Sequence, residues 1–168
     1  MLDDNVIEEL AEEAWRNFGV ANWTSVRGGR LGRVTDGAFR GARIRRLDLS
    51  ATRLQSLTRA GLSGLEPWLE HLDLSASNVS QLADGLLSDF AALQTLLLND
   101  NPLAAFDAEA VLGGPAAAPP GLHTLHLSGE SVVDVGRVHA VASLRHVALS
   151  SFKEGRLTQD DLLGAISH

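Results

Sequence analysis

One block of apolar residues recurs along the chain at near-constant spacing, and this recurrence limits the fold more than any other feature. From Ile44 the chain reads I-R-R-L-D-L-S-A-T-R-L-Q-S-L, with apolar side chains at Ile44, Leu47, Leu49, Leu54 and Leu57. The same template, L-x-x-L-x-L-x-x-N-x-L-x-x-L, returns at Leu69 (with Leu72, Leu74, Val79 and Leu82) and at Leu93 (with Leu96, Leu98, Leu103 and Phe106). It returns again at Leu122 (with Leu125, Leu127, Val132 and Val135), and a decaying copy begins at Leu144 with Val147 and Leu149. The start-to-start spacings are 25, 24, 29 and 22 residues. A worn first copy precedes them at Ala21, Thr24, Val26, Leu31 and Val34.

Within each copy the L-x-L step alternates with period two, so Leu47 and Leu49 point one way while Arg46, Asp48 and Ser50 point the other. A single copy cannot bury its leucines alone. Stacked copies, about 4.8 Å apart, form a parallel sheet over one continuous apolar core. This pattern resembles the leucine-rich-repeat family over residues 21–155. The stretch Asp36-Gly37-Ala38-Phe39-Arg40-Gly41 is similar to the return segment of the family's typical subclass. The resemblance implies an α/β fold, a right-handed leucine-rich-repeat solenoid with a short parallel β-sheet on its concave face. At the position the family gives to Asn stand Gly29, Thr52, Ser77, Asn101, Glu130 and Phe152. Order is therefore expected to be best around Asn101 and loosest in the last two copies.

An open solenoid exposes its core at both ends, so caps are expected. Residues 1–20 are read as an N-terminal capping helix, with Val6, Ile7, Leu10, Ala11, Ala14 and Phe18 on one side. Its acids lie in the first turns, Arg16 near the end, and Gly19 is a stop signal. Residues 156–168 are read as a C-terminal capping helix started by Thr158. The Gly/Pro/Ala-rich stretch 113–121 lengthens one copy and is expected to be a convex-side loop without core contacts.

Composition narrows the chemistry. The chain has no Cys, which excludes thiolate metal sites, disulfides and thiol nucleophiles. No phosphate loop, H-E-x-x-H, G-x-S-x-G or calcium loop is present. The start, Met1-Leu2-Asp3-Asp4, lacks the basic and apolar regions of a signal peptide, and no apolar run approaches membrane-spanning length. The sequons at Asn22 and Asn78 are near chance frequency. A cytoplasmic location is expected. The net charge of −7 is unevenly spread: residues 1–13 carry six acids and no base, whereas residues 27–59 carry nine Arg against two Asp. The acids and the arginines are candidates to pair with one another.

The repeat register sends aligned columns of side chains to the concave face. One column is Trp23, Arg46, His71, Thr95, Thr124 and His146; the next is Ser25, Asp48, Asp73, Leu97, His126 and Ala148. A third holds Arg27, Ser50, Ser75, Asn99, Ser128 and Ser150, with Asp100 just beyond. Arg46, Asp48, His71 and Asp73 form a square on two adjacent strands, where each aspartate is expected to raise the other's pKa. Trp23 and Leu97 are apolar groups on a polar face, the usual anchors for a partner. The candidate partner-binding set is thus Trp23, Arg46, Asp48, His71, Asp73, Thr95, Leu97, Asp100 and His126. An Asp73–His126–Ser128 triad fails on distance, because two strand spacings separate the acid from the base. His71, His126 and His146 lie on three strands and do not converge on a metal.

The expected function is therefore a protein–protein interaction module without catalytic residues, metal or cofactor, acting as a monomer, with no membrane contact. Two alternatives remain. One is the substrate-recognition part of a larger enzyme or effector; the other is a binder of an acidic ligand or nucleic acid through the Arg-rich stretch.

Overall fold

A computed structural model describes residues 2–17, 19–103, 105–114, 118–128, 132–133 and 144–150. The expected C-terminal cap, Phe18 and the ladder positions Glu130 and Phe152 lie outside these residues. Each template copy supplies one strand of a six-stranded parallel sheet: β2 (Val20–Ser25), β4 (Arg43–Asp48), β6 (His71–Asp73), β8 (Thr95–Leu97), β10 (Thr124–Ser128) and β12 (His146–Ser150). The strands lie in the order β12-β10-β8-β6-β4-β2, so neighbouring copies are spatial neighbours throughout. This is the solenoid expected from the repeats.

Two-residue strands pair along the return path of the coils. β1 (Glu9–Leu10) pairs with β3 (Arg33–Val34), β5 (Ser56–Leu57) with β7 (Gln81–Leu82), and β9 (Ala105–Phe106) with β11 (Val132–Val133). The interior is one cluster built from the template leucines, with Leu47, Leu72, Leu96 and Leu125 aligned across the sheet. Phe39, Phe90 and Phe106 fill the return side and are fully buried. Helix is scarce among the described residues: α1 (Ala108–Leu112) is a short one, capped at its N-terminus by Asp107 and closed by Gly113 in the left-handed region.

Among the described ladder positions, hydrogen bonding is fullest at Asn101. Its Oδ1 accepts from the backbone N–H groups of Ser77 (3.0 Å) and Val79 (2.9 Å), and its Nδ2 donates to the carbonyls of Leu74 (2.7 Å) and Leu98 (3.0 Å). The hydroxyls substitute in part. Ser77 Oγ donates back one coil to the Leu49 carbonyl (2.7 Å), whereas Thr52 Oγ1 reaches only that same carbonyl in its own coil (2.8 Å). Gly29 contributes no side-chain bond. A Cβ there would stand 2.3 Å from the Asn5 carbonyl oxygen, and its φ of +69° lies where glycine is favoured. The first two coils approach closely because this residue has no side chain.

The N-terminal segment corrects one expectation. The capping helix expected within residues 1–20 does not form: residues 2–17 run as turns and extended chain with the short strand β1. The Leu2 N–H donates to the Ser25 carbonyl and the Asp4 N–H to the Arg27 carbonyl, both at 2.8 Å, continuing the backbone pattern of the later coils. The reason is visible in the residues: L-D-D-N-V-I-E-E-L at 2–10 is the second half of the repeat template, with Asn5 at the ladder position. Helical spacing describes only part of it, since Val6 and Ala11 are exposed while Leu10 and Trp15 are buried. Trp15 stacks on Phe39 of the next coil, with ring centroids 6.1 Å apart. The stretch 113–121 is corrected as well, because Ala118 packs against the core and Pro119 is buried.

Thr24 occupies the column that Leu47, Leu72, Leu96 and Leu125 fill in later coils. Its hydroxyl is buried and has no hydrogen-bond partner among the described residues. A buried hydroxyl without a partner costs stability that an isosteric apolar group does not. Thr24→Val is therefore expected to stabilise the protein by about 1 kcal/mol in urea denaturation.

Candidate functional site

The strand pairing aligns the first two expected columns as the repeats imply. Trp23 pairs with Arg46, Arg46 with His71, His71 with Thr95, Thr95 with Thr124, and Thr124 with His146. In the second column Ser25 pairs with Asp48, Asp48 with Asp73, Asp73 with Leu97, and Leu97 with His126. Two strand spacings thus separate Asp73 from His126. Among the described residues no group of three His, Asp or Glu side chains is placed to hold a metal ion.

Five of the nine candidate residues come together. Trp23, Arg46, Asp48, His71 and Asp73, with Leu47 at the floor, line an open depression of about 280 Å³. Trp23 is 56% exposed. Thr95, Leu97 and His126 lie on the following strands of the same sheet, outside this depression. Leu97 is half-buried between its neighbours instead of standing out as an exposed anchor. Asp100 is not on the sheet. It has a φ of +60°, the left-handed turn position also held by Asp4, Gly28, Ala51 and Ala76 in the other coils, and its carboxylate accepts from Asn99 Nδ2.

The carboxylates serve the fold as well as the surface. Asp48 Oδ1 accepts from the backbone N–H of Ser50, and Asp73 Oδ1 from that of Ser75, each at 2.9 Å. Ser75 also donates its hydroxyl to Asp73. These short-range bonds turn the chain out of the strand, as Asp side chains do at turns. Arg46 makes no ion pair with either carboxylate among the described residues. Burial pushes the His71 pKa below its ordinary value of 6.5; Asp73 and Asp48 oppose this, while Arg46 adds to it.

Two features do not follow from the columns. A second depression of about 370 Å³ adjoins the first and is lined by Asn22, Trp23, Arg45, Arg46 and Glu70, with Arg45 and Glu70 paired at 3.0 Å. Its signal is in the template. L-x-x-L leaves two residues between apolar positions, so Arg45 and Arg46 are both exposed. The second feature is Trp68, which is 38% exposed, with the Arg43 guanidinium over its ring at 5.2 Å. Trp68 stands just before Leu69, outside the columns that strand alternation defines.

Four of the nine arginines in the Arg-rich stretch form ion pairs among the described residues, Arg45 with Glu70 being one of them. Arg30 faces Glu8 at 4.0 Å, Arg40 pairs with Glu12 at 3.1 Å, and Arg59 pairs with Asp89 at 2.5 Å. Arg30 and Arg40 thus meet the acidic N-terminal segment as expected, across adjacent coils. These pairs are exposed, so they contribute little to stability individually.

The His71 environment sets a pH dependence. A histidine whose folded pKa is lowered withholds stability when protonated: its contribution is fully present above the unfolded pKa and is lost as pH falls through the folded one. Stability is therefore expected to decline as pH falls below 6.5, and His71→Gln is expected to flatten that decline. Urea midpoints of both proteins between about pH 7.5 and about pH 5.5 check this.

Comparisons with known proteins agree with the geometry. Residues 42–103 match the family model described as leucine rich repeat. Chaoptin of Drosophila melanogaster is 28% identical over 102 residues, which cover 61% of this chain and 8% of that protein, so the chain spans a small part of its relative's length. The crystal structure of human 5T4 (Wnt-activated inhibitory factor 1, trophoblast glycoprotein) aligns with a TM-score of 0.54 at 19% identity, over 90% of this chain and 68% of that one. At that identity the likeness speaks for the fold alone. With the recurring template, the stacked parallel strands and the asparagine between coils, the chain folds as a leucine-rich-repeat solenoid, and residues 42–103 match the leucine-rich-repeat family.

Proposed function

We propose that the protein binds another protein through the concave sheet, with the depression around Trp23, Arg46, Asp48, His71 and Asp73 as the centre of contact. Leucine-rich-repeat proteins generally mediate protein–protein interaction. The observation that supports this place is a contrast in charge pairing. Arg30, Arg40 and Arg59 are paired within the fold, whereas Arg46 shares a depression with two aspartates and pairs with neither. Charges that remain unpaired beside an exposed tryptophan are suited to a partner, because desolvation by that partner strengthens each new contact. Thr95, Leu97 and His126 extend the same face and would widen the contact. The pairing of Arg30 and Arg40 with the acidic segment occupies part of that stretch and so favours the concave face over an acidic ligand or nucleic acid there.

No helix among the described residues is long and apolar enough to cross a membrane. We infer a cytoplasmic, monomeric binding module without a catalytic role. Pull-down with the wild type, with Asp48→Lys/Asp73→Lys/Leu97→Glu and with Glu109→Lys on α1 tests it. Partners are expected to survive the α1 change and to be lost with the triple change, with circular dichroism verifying that both variants fold. Partners that all survive the triple change contradict a concave-face site.

A further inference from the structure

We infer that the depression between β2, β4 and β6 is a receptor for one basic side chain, an arginine or lysine carried by the partner polypeptide. This rests on the concave-face reading above and adds the chemistry of the group recognised. The walls divide by column. Trp23, Arg46 and His71 stand on the upstream side, and Asp48 and Asp73 on the downstream side. The two aspartates occupy paired positions on adjacent strands, about 5 Å apart. That is a span one guanidinium bridges with separate N–H groups.

Each aspartate commits one oxygen to a backbone N–H two residues on, which fixes the carboxylate plane. Neither second oxygen is bonded among the described residues. The formal charge of the lining is two negative against one positive, since burial holds His71 towards its neutral form near pH 7. The chain's net charge of −7 adds to the attraction of a cation. Trp23 is exposed and lines the depression, so its indole offers apolar surface for the methylene stem and a π-system for the cation. Arg46 sets the direction of entry. It repels a cation from the upstream side, and its own N–H groups are left to meet a carbonyl of the incoming segment.

The second depression does not compete for this role. Its only carboxylate, Glu70, is already paired with Arg45. Nor does Trp68, whose ring is already covered by Arg43.

The test uses blocked amino acids as probes of the full chain, read on the tryptophan indole N–H resonances by NMR, with the Trp23 signal assigned through Trp23→Phe. Acetyl-arginine amide is expected to shift the Trp23 resonance saturably and to leave that of Trp68 in place. Acetyl-citrulline amide, the neutral isostere, is expected to bind at least about tenfold more weakly. The double variant Asp48→Asn/Asp73→Asn is expected to lose about tenfold in arginine affinity. It is expected to fold, because Asn Oδ1 still accepts from Ser50 and Ser75. Equal binding of citrulline, preferential binding of acetyl-glutamate amide, or no saturable shift of Trp23 would each overturn the inference. If arginine fails as a probe while the Asp48→Lys/Asp73→Lys/Leu97→Glu protein still loses its partners, this inference falls alone and the concave-face reading stands.

Discussion

No coil of this protein is complete by itself. A coil of about two dozen residues has no interior of its own, and its outward backbone groups on two sides need partners. Both demands are met only by the next coil. Leu47 lies against Leu72 and Leu72 against Leu96, while backbone N–H groups along the sheet find carbonyls of the adjacent strand. Where the chain turns away from the sheet, buried polar side chains take over, and Asn101 alone satisfies two N–H groups and two carbonyls. The columns of the concave face follow from this stacking. If the coils slipped by one residue, every lining side chain of the depression would change its facing.

For this reason the sheet is legible in the amino-acid sequence. Strand alternation and a fixed repeat length are enough to place Trp23 beside Arg46 and Asp48 beside Asp73, and the pairing agrees residue for residue. Legibility fails where the template is worn or where side chains leave the period. The first coil mimics a helix because Val6, Ile7, Leu10 and Ala14 also fit a spacing of three and four. Leu2, Asn5, Ile7 and Leu10 fit the repeat better, and the repeat has a neighbour to pair with. Leu97 is expected to stand out because its column is polar, but it is half-buried. Asp100 follows β8 by three residues, in a left-handed turn. No rule of alternation gives the sign of φ at a non-glycine residue.

The same physics explains why the site is poor in internal pairing. On the return side, chain segments of neighbouring coils leave long side chains free to meet, and Arg40 reaches Glu12 while Arg59 reaches Asp89. On the sheet, strand geometry holds side chains upright and fixes their spacing, so pairing depends on which residues fall side by side: Arg45 meets Glu70, whereas Arg46 has His71 beside it. Asp48 and Asp73 are further restrained by their own backbone bonds. Arg46 therefore stays near opposite charges without collapsing onto them. Rigid, spaced and incompletely paired groups are what a partner-binding surface requires, because little ordering remains to be done on association.

The stacking constraint is tested most directly by amide hydrogen exchange on the wild type and Asn101→Ala. If side chains between coils hold them in register, the Ser77 and Val79 amides are protected in the wild type and lose protection first in the variant. A smaller loss should spread to the sheet amides of β6 and β8. Unchanged protection of Ser77 and Val79 after loss of the Asn101 side chain would contradict this, and would mean that the leucine columns alone set the register.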